Sequence, residues 1–145
     1  MSGTALHQLT ANQAVAALRS GELRPTELVE ASLARIKTVD TEINALPIRC
    51  FDRAMDQARA LEASGADHTA PSLAGLPIAV KDYNDFGGVR TTYGSPIFAE
   101  NVASESDATT ARLERNGAIP VAKSNVPEWA GGHTFNPVSG LTRNP

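Results

Sequence analysis

A chain of 145 residues, 41% of them hydrophobic, is long enough to bury the core of one soluble domain. The 13 Lys and Arg against 16 Asp and Glu give a net charge of −3 with no basic excess in either half, which argues against a dedicated nucleic-acid-binding protein. The single cysteine, Cys50, excludes an intrachain disulfide and a cysteine-based zinc site. No apolar stretch is long enough for a membrane span, and no basic residue precedes Arg19, so we expect a cytoplasmic protein.

Helix signals come first along the chain. Thr10 and Gln13 have the spacing of a capping box, which predicts a first helix ended by Gly21. Pro25 is a favourable first residue for a second helix, which we expect to end near Thr38.

A third helix is predicted from about Asp52 to Ser64, with Gly65 as its stop. Before it, the Pro-interrupted segment 43–48 is at best an edge strand. We interpret the apolar stripe of the third helix as core packing rather than a cofactor contact. Its members are Phe51, Met55, Ala58 and Leu61.

The pattern then changes to strand, helix, strand, which predicts a right-handed crossover in a mainly parallel α/β sheet. The run 76–80 has the composition of a buried strand, as does the run 119–122. Ser106 or Asp107 begins the intervening helix, which Gly117 ends. Its predicted inner face consists of Ala108, Ala111 and Leu113.

Two long segments lack periodicity, 82–105 and the residues after Lys123, where Gly and Pro preclude long regular elements. Aperiodic stretches of this length inside a domain are often functional.

Lys81 follows the first strand directly, at the strand end where open α/β sheets form ligand crevices. Apolar surroundings would remove water from this lysine and favour its neutral form, which can act as a general base. The competing interpretation is a lysine that reaches solvent, paired with Asp82. Position alone favours this second interpretation.

Lys123 has a similar position after the second strand and precedes Ser124 and Asn125. Neighbouring residues of an extended chain point to opposite faces, so a Lys-Ser catalytic pair is disfavoured. We expect structural roles here, with Ser124 and Asn125 bonding within turns or caps.

Other motifs are absent or weak. The histidines at 7, 68 and 133 have no ligand-like spacing, although His133 lies in a Gly-rich loop that could contact a ligand. The sequence contains no dinucleotide-binding fingerprint, no phosphate-binding loop and no GxSxG nucleophile elbow.

From residue 73 onward the chain closely resembles the amidase signature family, and the first part fits that family more loosely. The resemblance rests on an ordered series of motifs: GLPIAVKD, TTYGS, DATTARL, GAIPVAKSNVPEWA and NPVSGLTRNP. It implies a Ser–cis-Ser–Lys triad, with Lys81 at the position of the catalytic lysine. It also implies amide hydrolysis through an acyl-enzyme, with no metal or organic cofactor.

The resemblance places both catalytic serines downstream, in a Gly/Ser-rich segment after TRNP, and no serine of this chain matches them.

The segment 129–134 resembles a lining of the acyl pocket, which makes Ala130, Gly131 and Gly132 candidate substrate-binding residues. A simple turn is the competing interpretation for the two glycines. Asp82 and Asp85 match common family positions and are interpreted as supports of the lysine loop, whereas Phe86, Arg90 and Ser139 depart from the usual pattern.

The expected fold class is α/β: residues 1–65 form a helical lead-in, and residues 66–145 begin a mixed, mainly parallel sheet that carries the lysine strand. Together they would form the N-terminal portion of a single amidase domain. We expect a small-molecule amide as substrate, with no nucleic-acid or membrane partner. Two alternatives remain: the A subunit of a tRNA-dependent amidotransferase, and a short non-catalytic interaction module.

Overall fold

A computed structural model describes residues 5–64 and 73–145. In chain order its elements are helices α1 (Ala11–Ser20) and α2 (Pro25–Ile43), strand β1 (Ile48–Arg49), helix α3 (Phe51–Ala63), strand β2 (Pro77–Lys81), helix α4 (Ala108–Arg115) and strands β3 (Ile119–Ser124), β4 (Phe135–Asn136) and β5 (Gly140–Leu141). Three short 3-10 turns accompany them, at Leu6–Gln8, Pro96–Phe98 and Glu128–Ala130.

Local capping signals define helix α1 as predicted. The backbone amide of Gln13 donates to the Thr10 hydroxyl at 3.3 Å, and the Thr10 amide donates to the Gln13 side chain at 2.9 Å. Gly21 follows the helix in the left-handed region, with φ of 74°, where glycine has no steric penalty. These contacts confirm the capping box and the stop.

Helix α2 begins at Pro25 as predicted, but the expected end near Thr38 is wrong, because the helix continues to Ile43. The buried carboxylate of Asp40 fixes the chain after the helix: it accepts the amides of Ala45 at 2.7 Å and Leu46 at 3.1 Å, just beyond the helix. The helix itself ends at Asn44, which lies in the left-handed region with φ of 57° and donates its amide to the Asp40 carbonyl at 2.8 Å.

The main core lies between helices α2 and α3 and strand β3. Of the predicted stripe of α3, Ala58 is buried there and Phe51 and Met55 are partly buried against it, whereas Leu61 lies outside this cluster. Its buried members are Val29, Leu33, Ala54, Ala58, Ile119, Val121 and Ala122. Helix α3 begins at Phe51, one residue earlier than predicted, and ends at Ala63. The predicted stop at Gly65 lies outside the described residues.

Strand β3 lies at the centre of a three-stranded sheet, with β1 antiparallel on one side and β2 parallel on the other. The mixed sheet with helices confirms the α/β class. Strand β3 is buried over the predicted run 119–122, and the burial extends to Lys123. The prediction that the first strand, β2, is fully buried is wrong, because Val80 is buried but Ala79 and Lys81 are exposed. Among the described residues β2 pairs only with β3, so it lies at an edge of the sheet.

Helix α4 is capped by Asp107, whose side chain accepts the amide of Thr110 at 2.7 Å. The prediction that Ala108 faces inward is wrong: it is exposed, and Thr110 is the buried residue of this helix. At about 100° per residue the two positions lie on roughly opposite sides of the helix, so both cannot face the core.

None of the helices in the ranges 5–64 and 73–145 is long and apolar enough to cross a membrane.

The aperiodic segment 82–105 is tied to the helical layer by Phe86, which is completely buried. The guanidinium of Arg53 lies 4.0 Å from the centre of the Phe86 ring and donates to the Gly87 carbonyl at 2.6 Å. Phe86, one of the residues that depart from the family pattern, therefore anchors this loop. After β3, the chain forms only the short β4–β5 pair and one 3-10 turn, as the Gly and Pro content predicts.

Candidate active site

Lys81 is the last residue of β2, at the carboxyl end of the parallel β2–β3 pair. Its side chain is exposed, and its ammonium nitrogen lies 5.5 Å from the centre of the Tyr83 ring. The described residues therefore do not provide the apolar walls that the sequence predicts around this lysine. The alternative pairing with Asp82 is not formed either, because Asp82 pairs with another lysine.

That partner is Lys123, whose Nζ lies 2.9 Å from Oδ1 of Asp82, both side chains being almost completely buried. Lys123 Nζ also donates to the Thr91 hydroxyl. The Asp82 carboxylate accepts the amide of Thr92 at 3.1 Å and its hydroxyl at 2.5 Å. We refer to Asp82, Thr91, Thr92 and Lys123 as the buried ion-pair network.

Burial lowers the pKa of Lys123, and the hydrogen bond and charge of Asp82 oppose that shift. Removing two charges from water is costly, and close pairing with further hydrogen bonds compensates for the cost. The expected structural role of Lys123 agrees with this environment. The sequence does not reveal its partner, because Asp82 and Lys123 belong to segments that are far apart along the chain.

Four aromatic side chains form a cluster next to Lys81, consisting of Tyr83, Tyr93, Phe98 and Trp129. The rings of Tyr93 and Trp129 stack with centres 5.7 Å apart, and Phe98 contacts both rings edge-on. Tyr83 contacts Tyr93 edge-on at 5.8 Å. Trp129 and Tyr83 are about half exposed, so the cluster has an accessible apolar surface. Its members come from aperiodic segments, and sequence reasoning missed it.

The backbone around this cluster is strained. Tyr93, Trp129 and Ala130 have φ of 52°, 51° and 60°, in the left-handed region that residues with a side chain rarely adopt. Each such residue costs on the order of 1–3 kcal/mol, and strain of this kind concentrates at functional sites. The amide of Trp129 donates to the Tyr93 carbonyl at 3.0 Å, which joins the two strained positions.

The candidate substrate-binding residues Ala130, Gly131 and Gly132 are all exposed and follow Trp129 directly. A Cβ atom added at Gly132 would meet no heavy atom within 4 Å beyond its chain neighbours, so open space adjoins this turn. The turn is linked to Lys81 through the aromatic cluster. Its role in substrate binding stays a prediction.

The two aspartates predicted to support the lysine loop both contact it. Asp82 belongs to the buried ion-pair network, and Asp85 accepts the Tyr93 hydroxyl at 2.7 Å. Asn125 accepts the Val126 amide at 3.0 Å, but it is not a turn residue: its side chain also donates to the Thr142 hydroxyl at 3.0 Å and so joins the end of β3 to the segment after β5. Ser124 is the last residue of β3 and belongs to the strand, not to a turn.

His7 and His133 are exposed, and His68 lies outside the described residues. In the part of the chain that the structure describes, no cluster of three or more His, Cys, Asp and Glu side chains could hold a metal ion.

Tyr93 provides a pH-dependent test of the site. The hydrogen bond to Asp85, burial and the nearby carboxylates raise its pKa from 10.0 to about 12. Because the folded-state pKa is the higher one, this interaction stabilises the fold below about pH 10, and that stability is lost as the pH rises towards 12. Ultraviolet absorption of tyrosinate should therefore show a late-titrating tyrosine, which Asp85→Asn shifts back towards the ordinary value.

The control for this titration is Tyr83→Phe, which removes the other of the two tyrosines and should retain the late titration. Tyr93→Phe should abolish it. A late titration that persists in Tyr93→Phe would contradict the assignment.

Comparison with known proteins identifies the family of the chain. The sequence profile of the Amidase family matches residues 27–145. The A subunit of glutamyl-tRNA(Gln) amidotransferase from Synechococcus sp. (strain CC9311) is 42% identical over 130 residues, which cover 88% of this chain and 27% of that protein. The chain thus spans between a quarter and a third of the length of this relative.

Two solved structures have the same fold. One belongs to a vestigial protein complex that reveals the evolutionary origins of an s-triazine catabolic enzyme, with TM-score 0.85 and 34% identity over 94% of this chain and 31% of that one. The other is a bacterial aryl acylamidase of the amidase signature enzymes, with TM-score 0.85 and 26% identity over 97% of this chain and 30% of that one. Because the family profile covers most of the chain and the solved amidase fold matches almost all of it, this chain belongs to the amidase signature family.

Proposed function

We propose that this chain supplies the general base, Lys81, of a cytoplasmic amidase of the Ser–cis-Ser–Lys type that hydrolyses a small-molecule amide. The observation that carries the proposal is the position of Lys81. It is an exposed lysine at the carboxyl end of a parallel strand, next to an accessible aromatic cluster. This strand end is where α/β sheets bind ligands. The two serines would be supplied by a segment outside the 145 residues.

In the proposed reaction, neutral Lys81 accepts a proton from the middle serine, which accepts one from the nucleophilic serine. The nucleophile attacks the amide carbonyl, and the resulting tetrahedral intermediate expels the amine, which leaves with a proton returned through the same relay. Water then hydrolyses the acyl-enzyme to release the acid. The serine-bearing segment would also cover Lys81, and the loss of water would favour the neutral lysine that this relay needs.

The A subunit of a tRNA-dependent amidotransferase is the second candidate, because the Synechococcus relative carries that name. Two observations favour instead the hydrolysis of an amide that is bulkier than glutamine: the similarity to the aryl acylamidase and the exposed aromatic cluster. The net charge of −3 does not favour tRNA contacts by this part of the protein. A non-catalytic interaction module is the third candidate, and it predicts no amide turnover in any context.

The decisive test compares residues 1–145 alone with a protein in which this chain is joined to the segment that carries the two serines. Both are assayed against aliphatic amides, aromatic amides and glutamine. We expect no turnover by residues 1–145 and hydrolysis of aromatic amides by the longer protein. Preference for glutamine would favour the amidotransferase. Turnover by residues 1–145 that depends on Lys81 would contradict the proposed source of the nucleophile.

A further inference from the structure

The buried ion-pair network extends the candidate site beyond the lysine itself. Lys123 is completely buried, and its ammonium is held between the Asp82 carboxylate and the Thr91 hydroxyl. No part of the Lys123 side chain reaches the surface, so it cannot exchange a proton with a substrate at the strand end. Its influence on a reaction must pass through the residues that it holds.

Asp82 connects the network to Lys81, its neighbour in the chain. The amide of Asp82 donates to the carbonyl of Ser124 at 3.1 Å, which fastens the end of β2 to the end of β3. The carbonyl of Asp82 accepts the amide of Tyr93 at 3.1 Å. The carbonyl of Lys81 itself accepts the amide of Asn84 at 2.9 Å. The backbone that carries Lys81 is thus restrained on both sides.

The same contacts hold the aromatic surface that Lys81 faces. Tyr93 is restrained through its bond to Asp82, stacks on Trp129 and contacts Tyr83 edge-on. The ammonium of Lys81 lies over the Tyr83 ring. One buried network therefore restrains both the lysine and the surface beside it.

We propose that Lys123 is a positioning residue of the amidase: through Asp82 it fixes the direction of Lys81 relative to the aromatic cluster. The inference rests on the proposed function. A group misplaced by about 1 Å can cost on the order of 10²-fold in rate, so a residue that contacts no substrate can still control turnover. A purely structural ion pair would affect folding but not the rate per folded molecule.

The test uses the double variant Lys123→Met/Asp82→Asn in the protein that contains this chain and the serine-bearing segment. The double variant removes both charges with little change in side-chain volume, so we expect a folded protein. We expect kcat for the preferred amide to fall about 100-fold, whereas KM changes less than about threefold because no residue that binds substrate is altered. A folded double variant with wild-type kcat would overturn the inference.

The control is Arg24→Met/Glu27→Gln, which removes an ion pair of 3.0 Å at the start of α2, away from the segment 82–105. This control should lose some stability and retain wild-type kcat. An equal loss of kcat in the control and in the double variant would show that the effect is general loosening and would also overturn the inference.

Thr91→Val keeps the test decisive if the double variant does not fold. It conserves volume and removes only the hydroxyl that accepts from Lys123. We expect a folded protein with kcat lowered about 10-fold, and an unchanged kcat would overturn the inference. A wild-type protein without amide turnover would instead contradict the proposed function, so the two failures are distinguishable.

Discussion

Replacing Lys81 with alanine is expected to lower kcat by about 10⁴-fold or more in the protein that joins this chain to the serine-bearing segment. Removing a general base costs on the order of 10²–10⁴ in rate, and residues that act as a unit lose more when one member is removed. Because the serine-bearing segment would cover Lys81 in that protein, the free energy of unfolding should fall by about 1 kcal/mol, the size of an ordinary point substitution. Steady-state kinetics and chemical denaturation of the same preparation measure both effects.

Lys81→Arg separates proton transfer from positive charge. A guanidinium stays protonated in proteins and cannot accept the serine proton, so this variant should be as inactive as Lys81→Ala. Lys37→Ala is the matched control, because Lys37 is an exposed lysine on α2 whose ammonium lies over the Phe51 ring. An active Lys81→Arg would exclude the general-base role, and an inactive Lys37→Ala would point to a nonspecific effect.

Features that depend on short-range spacing were predictable from the sequence. The capping box of α1, the first residue of α2 and the Asp107 cap of α4 each involve residues within one helical turn. The end of α2 has a local signal in Asn44, which follows the helix in the left-handed region where asparagine commonly ends helices, but the contacts of the buried Asp40 carboxylate with the next loop have no such signal. Nothing in the local pattern shows that this carboxylate turns back towards the following loop.

Distinguishing the two strand-end lysines required the strand register. Lys123 is paired in register with Val80, and Lys81 is paired with Ser124. Paired residues of neighbouring strands point to the same face, and alternate residues point to opposite faces. Lys123 therefore shares the buried face with Val80, whereas Lys81 points to the other face and reaches solvent. The sequence places both lysines at strand ends, but it contains no information about this register.

The aromatic cluster and the buried ion-pair network had no signal in the sequence. The aromatic cluster joins residues from segments without periodicity, and the ion-pair network joins Lys123 of β3 to such a segment; Lys123 and Thr91, for example, are 32 positions apart. Motif resemblance identified Lys81, Asp82 and Asp85 singly, but only the three-dimensional arrangement shows that Asp82 pairs with Lys123 rather than with Lys81.

The ion pair predicts an unequal response of its two partners to mutation. Among the residues that the structure describes, Lys123→Met leaves the buried Asp82 carboxylate with no positive partner and with only the amide and hydroxyl of Thr92 as donors. Breaking a buried pair in this way costs about 3–5 kcal/mol of unfolding free energy. The double variant Lys123→Met/Asp82→Asn removes both charges and should recover most of that loss, because an uncharged pair carries no unpaired buried charge. Chemical denaturation measures these differences when the slope of unfolding free energy against denaturant concentration is the same in wild type and variants.

Asp82→Asn should be less destabilising than Lys123→Met, because a buried lysine can release its proton whereas a carboxylate at neutral pH has to bind one. Burial already lowers the pKa of Lys123, and the substitution removes the partner that opposes this shift. With a folded-state pKa below the unfolded value of about 10.4, the unfolded chain binds more protons between those two values. The stability of Asp82→Asn should therefore rise with pH across that window relative to wild type. A stability difference from wild type that does not change with pH would show that Lys123 stays charged without Asp82, and that the network around Thr91 compensates for its burial.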